Sequence, residues 1–257
     1  MNEYYTLKRY LKVFEEKNND PYFLKKYYSA SSLSDYKSSL QRIKYISVYC
    51  GCDYTNIYNP LFLYSRFYHS LVVANMTWHF TQNKKETIAA LFHDVGTPCF
   101  SHTIDYLLGD SKNQESSERN IIEVLKNDKV TLNLLKDDGI DLDELDELLK
   151  NPILENKFPR LCTDRLDGVL GTCFIWLHTH KLSEIKEVYD SLIVLENEDG
   201  ISEIGFKNIE YAEEFSKMVK EYATELQSNK DKFVLQYIAD IVKTAINNNL
   251  ISLEDLY

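Results

Sequence analysis

His93 and Asp94 stand side by side at the end of the apolar run AALF, inside the stretch AALFHDVGTPCFSHTID (residues 89–105). A histidine and an aspartate at the end of a buried segment must both be satisfied there, and one metal ion does that in a single step. Upstream, His69 heads the apolar stretch HSLVVANM, with Arg66 one turn before it. Downstream, Asp164 and Asp167 interrupt FPRLCTDRLDGVLGTCFIW, which is otherwise largely apolar. His69, His93, Asp94 and Asp164 together offer two imidazoles and two carboxylates. That set suits one first-row divalent ion, whether iron, manganese, nickel or zinc, without selecting among them. Positions left open on the ion would take water and substrate. The competing reading is purely structural: His93 contacts a helix end and Asp94 begins the turn announced by Gly96 and Pro98.

Donors this far apart in sequence meet only if rigid elements carry them, as facing helices do in bundle sites. Apolar residues recur at three- and four-residue spacing along most of the chain. Helices are expected near 3–17, 33–50, 67–82, 86–94, 99–108, 116–127, 141–150, 160–178, 182–191, 208–228 and 231–248. Ser34 and Ser116 are suited to N-caps and Gly109 to a stop. The exception is SLIVLENEDGISEIGF (191–206), where two β-favouring runs flank an Asp-Gly turn, which predicts a small hairpin. The expected fold is therefore all-α in the main, one domain over 1–257, with a motif core at 66–172 and the hairpin and last helices at 191–257.

Composition narrows the partners. The net charge is −11, and a protein that binds many phosphates needs a basic surface to release counterions, so a large nucleic acid is disfavoured. No apolar run is long enough for a bilayer, and Met1 is followed by acidic and aromatic sequence, so no membrane partner and a cytoplasmic location are expected. The five cysteines are odd in number, and reduced, mostly structural thiols are expected. The acidic run KDDGIDLDELDELLK (136–150) lacks the ligand alternation of a calcium loop and reads as a solvated helix face. The tyrosine-rich start is read as packing or a subunit contact, which leaves a homo-oligomer open.

The order H…HD…D, carried by RFYHSL, LFHDVGTPCFSHTID and CTDRLDG, resembles the HD-domain metal-dependent phosphohydrolases, nearest the deoxynucleoside triphosphate triphosphohydrolase branch. The similarity runs from about Arg66 to Thr172. It implies an HD-type helical bundle in which His69, His93, Asp94 and Asp164 bind the metal, and in which Arg66 and Arg165 meet substrate phosphates. It also implies that His102 lies near the phosphate and that Asp105 orients it, a pairing that the i, i+3 spacing on one helix face supports. His102 then serves as general acid or nucleophile.

The chain departs from the triphosphohydrolase pattern at several positions. Thr97 stands where a histidine is usual, Ser117 and Glu118 replace a His-Glu pair, Gly168 replaces a tyrosine and Thr172 an aspartate. Glu115 and Glu118 are alternative bases for activating water. Asp167 is expected to matter less for the metal and to pair with an arginine. His79 is expected to be a packed histidine, and His178 and His180 to lie at a helix C-terminal end. The function expected is hydrolysis of a phosphate ester or anhydride, foremost of a nucleotide, with one divalent transition metal per chain and magnesium as a companion of the substrate. The alternatives are a nucleotide sensor with weakened catalysis and a phosphodiesterase of a signalling nucleotide.

Overall fold

The fold is described from a computed structural model, which covers residues 3–15, 19–34, 38–49, 58–109 and 121–257. Glu115, Glu118, Ser116 and Ser117 lie outside the described residues, as does the first part of the helix expected at 116–127.

The protein is mainly helical, and among the described residues there is one two-stranded antiparallel sheet. Helix α3 (Arg66–Thr81) is its central element. Apolar side chains surround it rather than forming one stripe, which is the pattern of a helix buried on all sides. Val72 and Met76 enter one core cluster, while Phe67, Val73 and Ala74 enter the other, so α3 forms the wall between them. Helix α3 ends at Gln82, whose left-handed φ of 50° turns the chain. Asn83 then caps α4 (Lys84–Phe92) by accepting from the Lys85 and Glu86 amides, so α4 folds straight back along α3. Helix α9 (Thr163–Gly171) packs on the opposite flank of α3, and the Thr77 and Thr163 hydroxyls meet at 3.0 Å.

The earlier and later elements enclose this trio. Helix α1 (Glu3–Leu11) is followed by α2 (Ser39–Ile43). Between α4 and α9 come α5 (Thr103–Leu108), α6 (Ile121–Asn127), α7 (Lys129–Asp137) and α8 (Leu142–Leu148). After α9 a π turn (Thr172–Trp176) leads to α10 (Leu182–Asp190) and to strands β1 (Leu192–Glu196) and β2 (Ser202–Phe206), then to α11 (Ile209–Leu226) and α12 (Asn229–Asn247). The hairpin pairs Leu192 with Phe206 through Glu196 with Ser202, and Gly200 takes the positive φ of 72° that its turn requires. Gly109 closes α5 at φ 79°, as expected of a stop.

Two expectations need correction. Among the described residues of the helix expected over 33–50, only α2 is helical, because Ser47 and Ser65 form an antiparallel bridge and the Arg66 amide donates to the Ile46 carbonyl. That pairing satisfies the backbone leading into α3, and it outweighs local helix propensity. The Ser34 hydroxyl donates to the Ser31 carbonyl, and residues 35–37, which a helix capped by Ser34 would begin with, lie outside the described residues. Helix α7 was not expected. Asp128 caps it by accepting from the Thr131 amide and also accepts from the Ser39 amide and hydroxyl, so one buried carboxylate starts α7 and anchors α2.

Candidate metal centre

Helices α3, α4 and α9 bring the four expected donors together. His69 stands in the first turn of α3, His93 and Asp94 follow the last turn of α4, and Asp164 stands in the first turn of α9. Each therefore sits at a helix end, where the chain reaches the cavity surface while its element stays locked in the core. His69 Nε2 lies 2.8 Å from Asp164 Oδ1, 3.3 Å from His93 Nε2 and 3.6 Å from Asp94 Oδ2. His93 Nε2 lies 3.4 Å from Asp164 Oδ1 and 3.8 Å from Asp94 Oδ2. Donors bonded to one ion at about 2.0–2.2 Å are themselves separated by about 3–3.6 Å when adjacent, and these five distances sit around that range. The donor atoms of His69, His93 and Asp94 all lie within 4.8 Å of one another, and Asp164 joins them through its contacts with the two imidazoles.

The imidazoles are oriented from behind. His93 Nδ1 donates to the Ala90 carbonyl at 2.8 Å, which leaves Nε2 as the atom facing the cluster. His69 Nδ1 donates to Asp167 Oδ2 at 2.6 Å. Asp167 is fully buried and also accepts from the Tyr10 hydroxyl at 2.7 Å and the Tyr64 hydroxyl at 2.8 Å. Its expected arginine partner is thus replaced by an imidazole and two phenols, and its role becomes fixing the tautomer of a metal-type ligand. Tyr10 and Tyr64 were not singled out in the sequence. The signal for Asp167 was its place three residues after Asp164, but nothing local announced the tyrosines.

The charges are balanced within the cluster. Burial alone pulls the His69 imidazole down, yet its hydrogen bonds to Asp164 and Asp167 and their charges lift it to about 10. Burial likewise works against ionisation of Asp94, but the Arg66 guanidinium and the two imidazoles hold its carboxyl well below the usual range. Asp164, buried beside both histidines, is lowered in the same way by their hydrogen bonds. In the metal-free state the His69 proton therefore occupies the space toward Asp164 that a cation would take. An ion entering there must displace it; because the His93 imidazole is also raised, against its burial, by Asp94 and Asp164, uptake near about pH 7 is expected to release at least about one proton, with affinity weakening as pH falls. Calorimetric titration in buffers of different ionisation enthalpy measures this number, and an enthalpy independent of buffer would contradict it.

The remaining expected residues divide. Arg66 donates through Nη1 to both Asp94 oxygens, at 3.0 and 3.2 Å, and through Nη2 to the Ser101 hydroxyl at 2.5 Å. It holds the Asp94 carboxylate in place while lining the adjoining space. His102 Nδ1 lies 3.0 Å from Asp105 Oδ2, with Asp105 fully buried, so the anticipated pair is formed. Arg165 lines the second cavity, and its guanidinium also donates to the Asn156 carbonyl at 2.9 Å and to the Arg160 carbonyl, which fastens the loop before α9. Glu155, next to Arg165 at 3.5 Å, was missed; desolvation and the Asp164 charge push its carboxyl upward. His79 is exposed rather than packed inside, although its ring contacts Phe80 and Tyr189.

Two cavities of 810 and 770 Å³ adjoin the cluster and share Arg66, His102 and Asp164 in their walls. The first also reaches Lys150, Lys157 and Arg160. The second reaches Tyr49, Trp176 and Tyr222 and is bordered by Gly168, where an added Cβ would meet nothing within 4 Å.

No family model matches the chain. It is 28% identical over 194 residues to the uncharacterized protein YdhJ of Bacillus subtilis (strain 168), an alignment spanning 75% of this chain and 57% of YdhJ. Among solved structures it is similar to a hypothetical protein from Aquifex aeolicus, with a TM-score of 0.50 and 19% identity over 81% of this chain and 58% of the other. The chain thus spans somewhat over half the length of each, and the structural likeness concerns the fold alone.

Proposed function

We propose that this protein is a metal-dependent phosphohydrolase of the HD type that cleaves a phosphate ester or anhydride in a nucleotide. The observation that carries the reading is the convergence of His69, His93, Asp94 and Asp164 from three helices, with Asp167 and the Ala90 carbonyl fixing the two imidazoles. The donor set is all nitrogen and oxygen, which fits a divalent first-row ion. Such an ion would supply a Lewis acid for a phosphoryl oxygen and lower the pKa of water.

The chain's own residues supply the rest. Arg66 brings a fixed positive charge to the rim of both cavities, where negative charge develops as the phosphorus is attacked. His102 holds its Nδ1 proton toward Asp105, so Nε2 is the atom that exchanges a proton with a leaving oxygen. Each cavity has the volume usual for a small-ligand site, about 300–1,000 Å³. Their common wall favours a substrate with bulk on both sides of the scissile phosphorus, which keeps a signalling phosphodiester within the class. A sensor with weakened catalysis is favoured by one feature, the open space at Gly168.

Incubating the metal-loaded protein with a panel of nucleoside mono-, di- and triphosphates and cyclic nucleotides, with products identified by mass, tests the reading. Phosphate, pyrophosphate or triphosphate release would each name the bond broken; tight binding without turnover of any would establish the sensor instead. Within the enzyme reading, His102→Ala is expected to keep its metal and lose about 10²–10⁴-fold in kcat, with Asp105→Asn reproducing part of the loss. An unchanged rate per folded molecule would remove His102 from the proton transfer.

A further inference from the structure

A second group of metal-type donors lies outside the centre described above. The π turn ends as the Leu177 amide donates to the Thr172 carbonyl at 2.9 Å and the Thr179 amide to the Cys173 carbonyl at 3.0 Å. His178 takes a left-handed φ of 60° between them. Non-glycine residues pay for that conformation, and such strain persists where the surroundings dictate it. Here it brings His180 back beside Cys173, and α11 places Glu221 opposite both. The donor atoms of Cys173, His180 and Glu221 all lie within 4.8 Å of one another.

We propose that Cys173, His180 and Glu221 bind a zinc ion that fastens the π turn to α11. Three observations carry this. Glu221 Oε2 is buried and makes no hydrogen bond, which is costly for a carboxylate oxygen unless a cation satisfies it. It lies 3.5 Å from His180 Nδ1, and a tetrahedral ion bonded to nitrogen and oxygen at about 2.0–2.2 Å separates them by about 3.4 Å. On the other side of the ring, His180 Nε2 lies at an ion-pair distance of 3.7 Å from Glu214 Oε1, which leaves Nδ1 as the nitrogen facing Glu221; the Thr179 hydroxyl, 3.0 Å from Nδ1, would yield its place to the ion. Cys173 is fully buried, with its thiol 3.6 Å from the Met218 carbonyl. A thiolate, an imidazole and a carboxylate favour zinc over magnesium or calcium, and three protein donors leave one position for water. Binding converts the thiol to thiolate and releases its proton to solvent. Thr172, Trp176 and Tyr222 line the second cavity, so the ion would brace that wall.

Cobalt(II) titration of the metal-free full-length protein tests the site, because a sulfur-to-cobalt charge-transfer band requires a thiolate and the first centre has none. The band is expected in the wild type, with an intensity at saturation corresponding to about one thiolate-bound cobalt per chain while the first centre takes cobalt without contributing to it, and in a Cys50→Ser, Cys52→Ser double variant. It should vanish in Cys173→Ser, and His180→Gln and Glu221→Gln should each weaken the affinity at least about tenfold. Circular dichroism melting confirms folding, and if Cys173→Ser fails to fold, the two partly exposed positions decide. A wild type without the band, a band lost with Cys50 and Cys52, or affinities unmoved by His180→Gln and Glu221→Gln would overturn the proposal.

Discussion

Asp94→Ala is expected to purify with about one metal equivalent less than the wild type and with phosphohydrolase activity reduced to background. A methyl group cannot replace a carboxylate donor, and the change also strands the Arg66 guanidinium, whose Nη1 is bonded to both Asp94 oxygens. The two consequences act together: the cation loses a ligand, and an arginine at the rim of both cavities loses the partner that fixes it. Elemental analysis of protein prepared without chelator reads the first consequence independently of any substrate. Equal metal content in the two proteins would remove Asp94 from the centre.

Asp167→Ala should act at a distance from the ion and yet cost nearly as much. This carboxylate accepts from His69 Nδ1, Tyr10 and Tyr64 in a fully buried setting, so its removal leaves three donors without an acceptor. Breaking a buried charge-paired group of this kind costs about 3–5 kcal/mol of folding stability. Loss of the outer partner of a ligand histidine weakens metal affinity about 10–100-fold. Asp167→Asn separates the two effects. The amide oxygen still accepts, so stability should recover in part, while the lost charge leaves the imidazole less basic and the metal affinity low. A Tm depressed with unchanged metal affinity in both variants would make Asp167 a packing residue only.

The parts of this molecule that were legible in the sequence are those specified locally. Helix α3 announces itself by an apolar run of helical length, and the hairpin by two β-favouring runs around Asp199 and Gly200. Chemical type picked out four residues that the structure brings together, because histidine and aspartate inside apolar helices need a partner. What could not be read locally depends on contacts distant in sequence. Tyr10 reaches Asp167 across 157 positions, and no spacing predicts that. The 33–50 segment misled because Leu40 and Ile43 carry helical spacing and are buried, yet the backbone after them pairs with the entry to α3 instead. Arg165 shows another limit: its type and place suit a phosphate, but nothing local announced that two nearby carbonyls would also take donors of its guanidinium.

Anomalous diffraction from crystals of the protein loaded with one transition ion tests the central claim most directly. A peak is expected within about 2.0–2.2 Å of His69 Nε2, His93 Nε2 and oxygens of Asp94 and Asp164, with the His69 to Asp164 hydrogen bond replaced by two bonds to the ion. Metal-loaded crystals without a peak among these four side chains, in which His69 Nε2 still donates to Asp164, would contradict it.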